Sequence, residues 1–442
     1  MVATDDVENL VYDMKLSSVV PAGVTQENMV KELTCMDLVM KLYYLRGVYF
    51  FASNAVQGLK IRDLKEPMFK WLEICYVTSG RIRKSETGRP FIKCNDSGVR
   101  IIEARCDKTL DEWLEMKDYS LHNRLVFNQV LGPELAYSPL VHIQFTWFKC
   151  GGLSVGLSWA HVLGDAFAAS NFINMWGQGM AGHLPTKSLP LPKSQTQTQT
   201  MKAEIQPSSA AETEPFSVKR VEPVGDHWVA ANTCKMETFS FQITASQLHH
   251  LQSEISSKSD GTDKIPTFEA LSAVIWQCIA KTREGQEPKM VTICRNDSPK
   301  RDDDVSSNNQ ILSVVEADFS VAVAEVSELA ALIIKKSVEE KSLIEETVEK
   351  DQGLSDFLVY GANLTFVDLE EVGLYGLELK GHKPVFANYT IHGVSNEGVV
   401  LVLPGPEDFK EAGGSGRTVT VILQENQVTQ LREELKKEWC IV

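Results

Sequence analysis

His161 and Asp165 stand four residues apart in Ser158-Trp159-Ala160-His161-Val162-Leu163-Gly164-Asp165, an HxxxD pair. A neutral imidazole in such a place can take a proton from a hydroxyl or amine nucleophile, which is general-base chemistry. An aspartate in the first turn of a following helix orients the loop or caps the helix. The same two residues also suit a core histidine and a capping aspartate, and spacing alone leaves both readings open. Gly152-Leu153-Ser154-Val155-Gly156 matches GxSxG, but a nucleophile elbow needs a strand, a sharp turn and then a helix. Ser154 falls inside an alternating segment that runs on to Trp159, which excludes a serine hydrolase. His249 and His250 diverge on a helix and with Glu254 read as a solvated face. His122, His142, His183 and His227 have no patterned partners, and His382 and His392 lie near a turn-rich segment. Neither a metal-ligand cluster nor a phosphate or dinucleotide loop is present.

The elements around His161 give the pair its interest. Val141, Ile143, Phe145 and Trp147 alternate, Gly151-Gly152 turns the chain, and Leu153, Val155, Leu157 and Trp159 resume the alternation. That pattern predicts a hairpin whose second strand ends at Ala160. A helix follows from about Gly164, with Ala168, Phe172 and Trp176 at fourfold spacing. His161 therefore sits on a short connection leaving a buried strand, where a rigid scaffold can expose a reacting group.

Composition narrows the setting. The 442 residues imply two domains of roughly 200 residues each. A net charge of -15, from 59 acidic and 44 basic side chains, argues against nucleic acid as the main partner. The nine cysteines are scattered, odd in number and without a CxxC pair, which with no signal peptide points to a reducing compartment. Sequons at Asn95, Asn296, Asn363 and Asn388 carry no meaning there. The longest uncharged stretch, from Gly151 towards Asp165, is glycine-rich and reads as a core hairpin, so no membrane span is expected.

Along the chain, residues up to Leu16 lack periodicity and are expected to be loosely held, with Ser17–Pro21 a short edge strand. Thr34 and Asp37 form a capping-box pattern that opens a helix through Leu38, Leu42 and Leu45, and Val48–Phe51 is a strand. From Thr186 to Ser217 the texture becomes low in complexity, with Gln-Thr repeats, and reads as a tether between halves. The second half begins with a strand over Thr238–Ile243, then helices around Leu248–Ile255 and Pro266–Cys278. Met290–Cys294 is a buried strand and Arg295–Asn309 a charged loop. Val323–Lys350 reads as helical, Gly405–Gly416 as a flexible loop, and Glu425–Glu438 as a closing amphipathic helix. The result is an α/β protein in two halves, 1–185 and 218–442, joined by the linker 186–217.

These segments together resemble the plant BAHD acyltransferases, whose fold is similar to chloramphenicol acetyltransferase. The resemblance rests on HVLGD after GLSWA, the PTFEALSAVIWQC helix, the VTIC strand and the order of the halves. It implies two domains of mixed sheets with flanking helices, joined by a long crossover, and a channel between them carrying the motif histidine. It also implies that His161 deprotonates an alcohol or amine acceptor for attack on an acyl-CoA thioester, with no permanently bound cofactor. Asp165 would point away and hold the loop through an arginine, for which Arg295 is the candidate. The segments SSVVPA, LTCMDLVMKLYYLRGVYFF, SGRIR, CNDSGVRIIEA, YGANLTFVDL and NYTIHGV further resemble the eceriferum and glossy branch, which is associated with cuticular wax.

That branch implies extension of very-long-chain acyl-CoAs beside the elongase condensing enzyme, a 3-ketoacyl-CoA synthase, with the histidine dispensable. It places such a chain in the cytosol or at the cytoplasmic face of the endoplasmic reticulum, a monomer on its own. Departures from the catalytic pattern agree with it. Ala166 replaces the usual glycine after the motif, and Leu374–Pro384 keeps only fragments of the second family signature, DFGWG. Asn363-Leu364-Thr365 stands where a Ser-Trp pair is usual. The resemblance thus leaves an accessory role in elongation and a working acyltransferase as the main functional readings, with a catalytically dead acyl-CoA-binding scaffold as a third.

Overall fold

A computed structural model describes residues 10–116, 119–183, 214–230, 232, 234–257, 265–283, 285–297, 307–406 and 415–441. Most of the expected linker (186–213), the middle of the charged loop (298–306) and most of the glycine-rich loop (407–414) lie outside them.

Two mixed sheets organise the chain. The first has six strands in the order Val11–Val19, Val99–Cys106, Val141–Phe148, Leu153–Ala160, Tyr44–Phe51 and Phe386–His392. The second has seven, in the order Met236–Ile243, Arg417–Gln424, Val399–Pro404, Leu364–Asp368, Met290–Asn296, Gln310–Glu316 and Val338–Glu339. The expected hairpin is present, with Val141 opposite Trp159 and Trp147 opposite Leu153. Its apolar residues face the helices Ile61–Ile74 and Ala166–Met180, where Trp71 and Trp159 both pack on Phe172. On its other face Gly156 lies so close to the covering segment that a Cβ would fall 1.9 Å from the Leu125 carbonyl oxygen. The second sheet packs one face on the buried helix Thr267–Thr282 and contributes Val367, Leu401 and Ile422 from the other to the first core.

The strand Phe386–His392 belongs to the second half of the chain but completes the first sheet, pairing antiparallel with Tyr44–Phe51. Tyr389 stands opposite Gly47, where a Cβ would meet its ring at 2.3 Å, and its hydroxyl lies 2.6 Å from that of Tyr49. On the opposite face Asn388 donates to Ser240 at 3.1 Å and accepts from Thr420 at 2.9 Å, fastening the two sheets together. A buried ion pair, Lys41 with Asp356 at 2.7 Å, makes a further link between the halves.

Three expectations are corrected. Val11–Leu16 is not loose but belongs to a nine-residue edge strand, whose mostly exposed side chains give no apolar alternation. The helix opened by Thr34 does have its capping box, but it spans only Cys35–Val39. Leu45 lies in the strand Tyr44–Phe51, where sheet partners on both sides override helical spacing. The long helical segment is two helices, Val326–Lys335 and Lys341–Glu349, because Val338 leaves to pair with Val314 at the sheet edge.

Candidate functional site

His161 begins a single 3-10 turn, His161–Leu163, directly after the strand Leu153–Ala160. Its backbone N–H donates to the Tyr43 carbonyl at 3.0 Å, while the Trp159 indole N–H donates to the Gly164 carbonyl at 2.9 Å, so the turn is held at both ends. Gly164 is needed for close approach, since a Cβ there would meet the Ser307 carbonyl at 2.8 Å.

Asp165 is the N-cap of the helix Ala166–Met180. Its Oδ1 accepts from the backbone N–H groups of Phe167 and Ala168, both at 3.0 Å, and its Oδ2 accepts from that of Asn309 at 3.1 Å. Burial pushes its carboxyl above the usual aspartate range, and the three N–H donors oppose that shift. The expected partner, Arg295, is elsewhere: its guanidinium donates to Glu269 at 2.6 Å and lies over the Phe268 ring. The correction has a simple cause. The Ser307 carbonyl accepts from the Asp165 backbone N–H and the Asn309 backbone N–H donates to the Asp165 carboxylate, so this segment takes the place a guanidinium would fill.

The sequence pattern did not reveal the other members of the site. Asn308 donates its amide to the His161 carbonyl at 2.9 Å and to the buried carboxylate of Asp37 at 2.8 Å. Tyr360, also fully buried, places its hydroxyl 3.0 Å from His161 Nε2. The side chain of Gln310 approaches the same hydroxyl at 3.1 Å through Nε2 and 3.2 Å through Oε1. The Tyr360 hydroxyl carries one proton and meets two acceptors, His161 Nε2 and Gln310 Oε1, so whichever it serves sets the imidazole tautomer. Tyr43 packs edge-on against Tyr360 at 4.9 Å and accepts from the Val359 backbone N–H at 2.7 Å, which fixes the tyrosine from behind.

His161 itself has no solvent exposure. Burial lowers its pKa to about 4, with its own carbonyl and Asn308 pulling partly back. The ring is therefore neutral at physiological pH, the form a general base requires, but its Nε2 is already occupied. In this arrangement an incoming hydroxyl has to displace Tyr360 before it can reach the base. The only earlier hint of Tyr360 was its place in the segment Tyr360–Leu369, which contributes to the branch resemblance.

The degraded second signature packs on the back of the motif helix. Asn174 donates to the Gly373 carbonyl at 2.8 Å, and a Cβ at Gly177 would fall 3.0 Å from the Glu378 carbonyl. Ser154 sits within its strand, buried and away from any helix start, as an elbow serine could not.

The Transferase family model matches residues 11–438. The chain is 40% identical to Protein ECERIFERUM 2 of Arabidopsis thaliana over 437 residues, covering 96% of this chain and 98% of that one. In structure it is similar to vinorine synthase, with a TM-score of 0.67 at 18% identity over 96% of this chain and 98% of the other. It is also similar to F. graminearum TRI101 complexed with ethyl coenzyme A, with a TM-score of 0.68 at 13% identity over 93% and 98% of the two chains. The mixed two-sheet architecture and these full-length matches lead to one conclusion: the chain belongs to the Transferase (BAHD) family, within its eceriferum branch.

Proposed function

We propose that this protein promotes very-long-chain acyl-CoA elongation for cuticular wax together with the elongase condensing enzyme, a 3-ketoacyl-CoA synthase, and not through acyl transfer of its own. The observation that carries this reading is the 3.0 Å hydrogen bond between the Tyr360 hydroxyl and His161 Nε2 in a fully buried site. A base whose acceptor position is filled by the protein's own hydroxyl is poorly placed to serve a substrate. Near full-length similarity to ECERIFERUM 2 supports the same reading. Acyl-CoA is the ligand assigned here, bound transiently, and the coenzyme A complex of the similarly folded TRI101 supports that assignment. Among the described residues no helix is long and apolar enough to cross a membrane. Work at the cytoplasmic face of the endoplasmic reticulum would then depend on the partner, with the cytosol as the alternative location.

The test is His161→Ala against wild type, co-expressed in yeast with a plant condensing enzyme, with acyl chain lengths measured. Persistence of the longer products supports the accessory role. Their loss in a variant that stays folded overturns it and favours the second reading, an acyltransferase in which His161 is the general base and Asp165 orients the loop. A specific observation favours that second reading: the Tyr360 oxygen lies within the 2.6–3.2 Å reach an acceptor hydroxyl would need.

A further inference from the structure

The first sheet carries a second polar row that the His161 site does not use. Its register sets Arg100 opposite His142, His142 opposite Ser158, Ser158 opposite Arg46 and Arg46 opposite Thr390. Paired residues on neighbouring strands share a face, so hydrogen-bond donors run across five strands on the side away from the two packed helices. The next pair on that face is Tyr44 with His392, whose rings are 6.0 Å apart.

Arg46 is the anomaly in this row. It is 7% exposed, and no carboxylate among the described residues lies within ion-pairing distance of it. Among the described residues its one side-chain hydrogen bond is a long one, 3.4 Å from Nη1 to the Asn123 amide oxygen, and its Nε has no partner. His142, 3% exposed, leaves Nε2 without a partner while its ring packs on Phe127 at 5.1 Å. Asn123, which meets the guanidinium, and Thr390 and His392 on the neighbouring strand are half-buried, so the cover over Arg46 is partly solvated.

Burying a guanidinium without a counter-charge costs several kcal/mol. Among the described residues, no acidic side chain is placed to offset it. A planar guanidinium ringed by hydroxyl, amide and imidazole groups matches the geometry of an oxyanion. We propose that Arg46, with Asn123, Thr390 and His392 around it, binds the oxyanion of a small ligand, either a phosphate or a carboxylate group. The site adjoins the seam between the sheets, because the residue pair next to Arg46 and Thr390 on this strand includes Asn388, which holds Ser240 and Thr420. It stands whether or not His161 performs chemistry.

Titration calorimetry on the full chain tests it, with inorganic phosphate and octanoate as probes and chloride holding ionic strength constant. Saturable binding of one probe is expected, phosphate indicating a phosphorylated ligand and octanoate a carboxylate. Arg46→Met should weaken that binding at least tenfold, Arg46→Lys should restore part of it, and Arg62→Met on the exposed helix face should leave it unchanged. If Arg46→Met does not fold, Thr390→Val, which removes only a hydroxyl at the mouth, should still weaken binding severalfold. Absence of saturable binding by both probes, or binding indifferent to Arg46→Met and Thr390→Val, overturns the proposal.

Discussion

Replacing Tyr360 by phenylalanine removes one oxygen atom from the middle of the molecule and strands two buried groups that faced it. His161 Nε2 loses its 3.0 Å partner, and the Gln310 side chain, 4% exposed, loses a hydroxyl at 3.1 Å. Water does not take over easily, since Tyr360 and His161 have no exposure and the phenylalanine ring still fills the space. A buried group left unsatisfied costs about 1–3 kcal/mol. Two such groups, partly relieved by rearrangement of the Gln310 amide, give a loss of about 2–4 kcal/mol. Urea unfolding followed by tryptophan fluorescence should show a lower midpoint with an unchanged slope, which marks a change in stability and not in compactness. Tyr137→Phe, at a 74% exposed position, is the control and should shift nothing. Equal stability of Tyr360→Phe and wild type would refute the reasoning, because the His161 base would then not be held by this hydroxyl.

Stability should also fall with acid in a defined window. Burial lowers His161 and His392 to about 4 and His142 to about 3, against an ordinary value near 6.5. A depressed folded-state pKa means that the unfolded chain binds more protons between those values, so the contribution is full above pH 6.5 and is lost as pH falls towards 4. His161→Gln should flatten that part of the unfolding profile relative to wild type. Lys41→Met leaves Asp356 buried and unpaired and should cost about 3–5 kcal/mol, with Lys41→Met/Asp356→Leu recovering much of it in thermal unfolding. Asp165→Ala removes a cap and the acceptor for Asn309, and should cost about 2 kcal/mol or more by the same measurement.

The hairpin that carries His161 was legible because one face of it meets a packed core and the other does not have to be apolar. Alternation records that asymmetry directly. Tyr44–Phe51 shows no such rhythm, since apolar residues fall on both of its faces, and such a run does not distinguish strand from helix. Val11–Val19 fails for the opposite reason, with almost nothing buried on either face. The motif pair was found by spacing, but its surroundings come from distant chain. Tyr360 lies 199 positions from His161 and Asn308 lies 147 away, and tertiary packing alone brings them together. Arg295 was misplaced because the family resemblance places it near the motif in the chain but does not fix which of several carboxylates its guanidinium meets, here Glu269.

The strand that crosses from one half to the other changes how a truncated gene product should be understood. A stop codon between residues 218 and 386 removes part or all of the second sheet and also strips the last strand from the first, baring Tyr44–Phe51 as a long edge. Such an edge is a template for pairing with other chains, so the fragment is expected to aggregate and not to persist as a soluble amino-terminal domain. Two fragments divided within the region joining the halves should, by contrast, be useful only in each other's company. Each carries what the other lacks, and co-expression should recover one folded particle where separate expression recovers neither.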